Sequence, residues 1–479
     1  MTFNSIEFLL FLPIVFMIYW RLNDRTLRNL LIITASYIFY GWWDWRFLLL
    51  IAFTTLCSYL SGLLLSDPTK GKTRQLSVLW INVAVNLTIL GVFKYFNFFT
   101  ASLSQLLNPI GIHLDSVTMS LILPVGISFY TFQALSYSID VYHHKIEATR
   151  DIAAFFAFIS FFPQLVAGPI ERATNLLPQF LSGRIFKYPE AVSGMRLILW
   201  GLFKKVVIAD NCAIVVNMIF ENYTDVNTLS LWYGALCFTF QIYGDFSGYS
   251  DMAIGVARLF GYNLMRNFDY PYFSRDIAEF WRKWHISLTT WFRDYVYIPL
   301  GGSRVKKAKV TRNTFIIFLT SGLWHGANYT FIAWGMYHAI LFLPMILTGR
   351  NRKHTQDTGS TKGLAAMREA SLMGLTFLLV MIGWVIFRAD NISMAGHYIS
   401  RMFSHFKSGT ELTGGRMCLM WIAVLIIVEW IGRRRQCPLD FDGKGIFAHR
   451  SVRWTAYYLL CLAILLFSAQ PQTFIYFQF

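Results

Sequence analysis

Residues 241–304 read QIYGDFSGYSDMAIGVARLFGYNLMRNFDYPYFSRDIAEFWRKWHISLTTWFRDYVYIPLGGSR, and residues 321–339 read SGLWHGANYTFIAWGMYHA. Acids, amides and histidines stand here inside or beside apolar runs. An ionisable group at membrane depth costs roughly 2.5–3.5 kcal/mol on insertion scales, so such groups mark function by default. Elsewhere the chain is far more uniform. Of its 479 residues 55% are hydrophobic, 18% aromatic and only 14% charged, against about 25% charged in a soluble domain. That composition predicts an all-α, polytopic membrane protein forming one domain over 1–479.

Lys and Arg total 42 against 26 Asp and Glu, a net charge of +16. The cations cluster in loops between apolar runs. This is the positive-inside pattern, with attraction to anionic lipid, and it argues against a nucleic-acid partner. Cys57, Cys212, Cys237, Cys418, Cys437 and Cys461 are scattered without a CxxC pair. No disulfide framework or metal site follows from that spacing. The first charges, Arg21, Arg25 and Arg28, follow the first apolar run rather than precede it. This is the wrong order for a cleavable signal and puts the N-terminus outside the cytoplasm.

Spanning runs are expected at 6–20, 27–43, 47–65, 76–99, 120–142, 194–219, 229–257, 371–388, 417–432 and 453–468. The apolar stretch 313–349 crosses and returns, turning near 325–328, because it holds no Asp, Glu, Lys or Arg. The total is about twelve crossings at roughly 20 residues each. Residues 152–180 are apolar but interrupted by Pro163, Gly168 and Pro169, which predicts broken backbone covered by protein or lining a cavity. Residues 275–298 are expected to form one amphipathic, interfacial helix. Trp281, Trp284, His285, Leu288 and Phe292 share its apolar face by helical spacing.

Several residues can carry chemistry. His325, in Trp324-His325-Gly326, is a proton acceptor and donor at neutral pH, or a packing histidine bonded to a backbone carbonyl. His285 faces the apolar side of its helix and meets His325 only if that helix tilts inward. His338 lies thirteen residues beyond His325, about 20 Å along a straight helix, which suits a structural or pore-lining role. Gln241, Asp245, Ser247 and Asp251 sit among glycines. They orient a histidine, bind a polar ligand or join two helices. Tyr476, in TFIYFQF, is an interfacial anchor or a phenol nucleophile awaiting a base. No GxSxG, Walker A or HExxH motif is present, so soluble-enzyme chemistry lacks a basis.

At these motifs the chain resembles the membrane-bound O-acyltransferases, in the branch that acetylates alginate or transfers D-alanine. The resemblance runs through SIEFLLFLPIVFMIYW, LPVGISFYTFQALSYSIDVYHHK, FFPQLVAGPIER, QIYGDFSGYSDMAIG, FWRKWHISLTTWFRDYVYIPLGG and SGLWHGANYTFIAWGMYH. It implies a ring of about 11–13 transmembrane helices with re-entrant and interfacial helices around a central tunnel, and a catalytic core over about 120–345. It makes His325 the catalytic residue and His285 a second functional histidine. Trp324, Asp245, Gln241, Ser247, Trp281, Asn328 and His338 are then expected to line the substrate path. The implied reaction carries an acyl group, acetyl above all, from acetyl-CoA or another cytoplasmic thioester to an extracytoplasmic polysaccharide, with no bound cofactor or metal. Tyr476, in an extracytoplasmic tail at 469–479, then passes the group to a secreted SGNH-type acetyltransferase. The location implied is a bacterial inner membrane, with both termini outside. D-alanyl transfer to teichoic acid, peptidoglycan O-acetylation, and a proton-relaying channel are the alternatives.

Overall fold

Helices carry most of the described residues. A computed structural model describes residues 1–67, 69, 71–110, 123–350, 353–354, 359, 363–404, 406, 415–441, 448–469 and 472–475, and among them no β-strand forms. The chain divides into two compact units, residues 1–194 with 256–265, and residues 195–255 with 266–479.

The first unit opens with α1 (Ile6–Arg21), α2 (Arg25–Gly41), α3 (Arg46–Leu65) and α4 (Lys72–Leu107). Ser5 and Asp24 cap the first two, accepting from the amides of Phe8 and Leu27, which satisfies donors a helix start leaves over. Next come α5 (Ile127–Tyr142), α6 (Ile152–Ser160), α7 (Phe162–Leu165) and α8 (Ala173–Phe180). The interruption expected within 152–180 is present: α6 stops at Ser160 and Phe161 leaves helical geometry. The carbonyl of Phe158, near the end of α6, accepts from the side-chain amides of Gln133 and Gln164 at 2.8 and 3.0 Å. Broken backbone is stable in an apolar interior only when its freed groups find partners this way. Glu171, fully buried, likewise accepts from the amides of Asn175 and Met265.

α9 (Tyr188–Leu202) leads into the second unit. It runs into a π-helical segment, Phe203–Ala209, and then α10 (Asp210–Glu221). α11 (Thr228–Leu259) follows, with α12 (Ile277–Lys283) and α13 (Ile286–Phe292) beyond it. α14 (Lys307–His325) and α15 (Tyr329–Thr348) form an antiparallel hairpin. α16 (Leu364–Arg388), α17 (Ile392–Ser404), α18 (Arg416–Gly432) and α19 (Arg450–Leu466) complete the order. A buried ion network ties α12 to α16. Arg275 reaches Glu279 at 3.0 Å and Glu369 at 3.1 Å, and Lys283 reaches Glu279 at 3.0 Å.

Among the described residues, four helices are long and apolar enough to cross a membrane: Arg46–Leu65, the run Lys72–Ile110, Tyr329–Thr348 and Leu364–Arg388. Most other expected spans are helices of 16 or 17 residues. Sixteen residues rise about 24 Å, short of a hydrocarbon core of about 30 Å. α11 is long enough, but it carries Asp245, Asp251 and Arg258.

The single helix expected over 275–298 does not form. It breaks at Trp284 and His285, where His285 adopts left-handed backbone at φ 44° and ψ 54°. The cause lies upstream. The Ile286 amide donates to the Asn267 carbonyl at 2.9 Å, and the Asp269 amide donates to the Lys283 carbonyl at 3.0 Å. The extended segment 267–269 captures backbone groups that a continuous helix would use, and periodicity cannot register that competition.

The α14–α15 hairpin depends on two glycines. A Cβ on Gly322 would stand 2.3 Å from the Phe331 carbonyl oxygen, and one on Gly335 would stand 2.3 Å from that of Phe318. The helices therefore meet backbone to backbone, the close approach small residues permit. Gly335→Val is expected to force them apart at about 1–3 kcal/mol or more. A drop of several degrees in the melting temperature of detergent-purified protein checks this, and an unchanged melt refutes the close contact.

Candidate active site

His325 is the last residue of α14, and the turn at Gly326–Asn328 reverses the chain into α15. The turn falls where the sequence expects it. Asn328, expected to line the substrate path, instead caps α15. Its side chain accepts from the Thr330 amide at 3.0 Å and donates to the Asp390 carbonyl at 2.9 Å. His325 is held on three sides by rings: Trp324 at 5.0 Å, Trp334 at 5.1 Å and Phe387 at 5.3 Å, all near edge-on. Only 4% of the residue stays accessible.

The hairpin also changes the distance to His338. Along one straight helix that ring would lie out of reach, but the reversal brings both histidines onto Trp334. His338 lies 5.1 Å from Trp334 and 5.0 Å from Trp281. It is fully buried, and neither ring nitrogen has a hydrogen-bond partner among the described residues. Trp281 sits 5.5 Å from Trp334, so it belongs to the same wall.

His285 joins this wall through Trp324, at 5.8 Å between ring centroids. Its ring packs edge-on against Phe246 at 4.6 Å. Asn267 fixes its orientation. The Asn267 side-chain oxygen lies 3.0 Å from His285 Nδ1 and also receives the Ser287 hydroxyl at 2.9 Å, while its nitrogen donates to the Ser250 hydroxyl at 3.1 Å. An amide oxygen only accepts, so Nδ1 carries the proton and Nε2 keeps its lone pair. The residue lies between two seven-residue helices, each too short to cross a membrane. Burial lowers its pKa to about 3, so the ring is neutral at physiological pH.

The acids and amides of α11 divide. Gln241 is buried, and its side-chain oxygen has no partner among the described residues. Asp245 pairs with Lys205 at 2.8 Å, and Lys205 also pairs with Asp210 at 2.7 Å. Ser247 accepts from Lys204 at 2.9 Å, and Lys204 pairs with Asp251 at 2.6 Å. These groups therefore partner one another, two lysines among three carboxylates. Phe246, between Asp245 and Ser247, connects this charged layer to His285. Tyr476 lies outside the described residues. Among the described residues no group of three or more His, Cys, Asp or Glu converges as a metal site does.

Sequence reasoning missed Lys204, Lys205 and Asn267. The two lysines had a signal: a cationic pair in the middle of an apolar run must find acids. Asn267 had none, since its role follows from a helix break eighteen residues later. Asn267→Leu is expected to lower kcat by about 100-fold with KM little changed, since a misplacement of about 1 Å costs that much. Steady-state kinetics on folded protein check it; a change confined to KM contradicts the positioning role.

Known proteins match this chain. The model of "MBOAT, membrane-bound O-acyltransferase family" matches residues 147–370. The "probable alginate O-acetylase AlgI" of Pseudomonas putida is 39% identical over 504 aligned positions that cover 100% of both chains. Its counterpart in Pseudomonas syringae pv. tomato is 44% identical over 429 positions, 89% of this chain and 80% of that one. A "peptidoglycan O-acetyltransferase" of Helicobacter pylori is 34% identical over 426 positions, 82% of this chain and 78% of that one.

Proposed function

The chain belongs to the membrane-bound O-acyltransferase family, and from that premise we propose that it moves an acetyl group from cytoplasmic acetyl-CoA across the inner membrane, for O-acetylation of an exopolysaccharide such as alginate. It is a multi-pass membrane enzyme and an O-acyltransferase. Similarity to proteins named for acetylation, along nearly the whole chain, favours acetyl as the group carried. One integral-membrane domain with its core at 120–345, and termini on the outer side, complete this reading.

The observation that carries it is the aromatic wall. Histidines 40 positions apart meet the two sides of Trp324, at 5.8 and 5.0 Å. In the proposed step His325 takes the proton from the acceptor hydroxyl as its oxygen bonds to the thioester carbonyl carbon. The indole N–H of Trp324, or backbone amides near it, steadies the tetrahedral oxyanion. Collapse breaks the carbon–sulfur bond, and the departing thiolate takes the proton back from the imidazolium. His285, neutral and fixed by Asn267, orients His325 through the ring of Trp324 that both touch.

The acceptor at the outer face is Tyr476, which hands the acetyl group to an extracytoplasmic SGNH-type partner. Its neighbour Ile475 supports this, since the Ile475 amide donates to Asp245 at 2.7 Å and the next residue of α11, Phe246, touches His285.

Sealed vesicles given labelled acetyl-CoA on one side test the reading. Wild-type protein is expected to place label on acceptor at the opposite face. His325→Ala is expected to lose about 10²–10⁴-fold of that rate, the span of general acid–base catalysis. Equal rates in both would sink it. Tyr476→Phe is expected to abolish a base-labile acetyl adduct on the tail peptide, read by mass spectrometry; undiminished acetyl export in that variant removes Tyr476 from the route.

A further inference from the structure

Lys205 holds an unusual position. It stands in the π-helical segment Phe203–Ala209, buried, between two carboxylates. A π-helical turn is rare and marks functional sites more often than an ordinary turn does. Gly201 and Gly248 explain how the segment approaches α11. A Cβ on Gly201 would stand 2.5 Å from the Gly248 carbonyl oxygen, and one on Gly248 would stand 2.7 Å from that of Gly201.

The Asp210–Lys205–Asp245 triad carries one positive charge against two carboxylates. Its remaining hydrogen-bonding capacity is directed at backbone. Lys205 Nζ donates to the Gln472 carbonyl at 3.1 Å. Asp245 Oδ2 accepts from the Ile475 amide at 2.7 Å. The two contacts lie three residues apart, one to a carbonyl and one to an amide. Between them Phe474 is buried, 5.0 Å from Tyr249 and 6.3 Å from Phe246. Ile475 is buried as well. The peptide is thus gripped through main-chain groups, and one aromatic side chain sets its register.

From this geometry we infer that Lys205 and Asp245 form a binding site for a short peptide segment held by its main chain, filled here by residues 472–475, and that this clamp serves the acyl-carrying tail. Lys205 and Asp245 are positioning residues; neither meets the reacting atoms. The inference rests on the proposed route through Tyr476 for its purpose, but the grip on the peptide stands apart from that route. The order of contacts is consistent with delivery toward the histidines: the clamp holds residue 475, Asp245 precedes Phe246, and Phe246 touches His285.

Ile475→Pro tests the clamp without disturbing the ion triad, because proline removes the donating amide and nothing else on α11 changes. In full-length protein in detergent, the deuterium-labelling rate of the backbone amides in the C-terminal peptide reports docking, and mass spectrometry reports the base-labile acetyl on residue 476. Ile475→Pro is expected to speed labelling on the order of tenfold, the scale of losing one hydrogen bond to a charged group. It is also expected to cut the acetyl adduct by a similar factor. Lys205→Met, in samples whose melting curve shows folded protein, is expected to do the same. Unchanged labelling overturns the clamp. Faster labelling with an undiminished adduct overturns its role in delivery while Tyr476 remains the carrier. Faster labelling in the variant, with no adduct even in the parent, upholds the peptide site and refutes the Tyr476 route.

Discussion

A charge out of reach of water must be matched, and the second unit is arranged around that requirement. Lys205 is set between Asp210 and Asp245, and Lys204 between Asp251 and the Ser247 hydroxyl. Removing one member of such a set leaves an uncompensated buried charge, worth about 3–5 kcal/mol of destabilisation. The set therefore fixes the π-helical segment against α11 in one register. That register in turn aims Phe246 at His285. The charged layer on α11 meets the histidine wall through Phe246.

The histidine wall obeys a different rule. Imidazole can be buried neutral, so these rings need shape rather than counter-charge. Five consecutive ring contacts between 5.0 and 5.8 Å run from His285 through Trp324, His325 and Trp334 to His338 and on to Trp281. Such edge-to-face contacts add about 0.5–1.5 kcal/mol each beyond their burial. A low-dielectric, shaped enclosure suits acyl transfer, since it strengthens every dipole aimed at a developing oxyanion.

Much of this was legible from the residues. Composition dictates the all-helical membrane class, and the hairpin turn at 325–328 follows from a long apolar run with a polar break in its middle. The interruption near Pro163 follows from proline and glycine chemistry. What failed to show is long-range. The helix over 275–298 has faultless periodicity, yet it breaks because residues 267–269 offer its backbone groups competing partners. His338 looked remote from His325 because a straight helix was the wrong ruler across a reversal. Asn267 and the Lys205 clamp act through partners up to 267 positions away, which no local pattern encodes. Asp245 was visible as an oddity; its partner was visible too, as a lysine in an apolar run, but the pairing was not.

The backbone at His285 has a further meaning. Left-handed geometry at a residue with a Cβ carries a standing cost of about 1–2 kcal/mol, and the bonds from residues 267–269 are what hold it there. The imidazole is thus aimed by its neighbours and not by its own conformational preference. The bonds Ile286 N–H to the Asn267 carbonyl and Asp269 N–H to the Lys283 carbonyl offset that cost. Substitutions in residues 267–269 therefore bear on the orientation of this ring although they lie outside its helices.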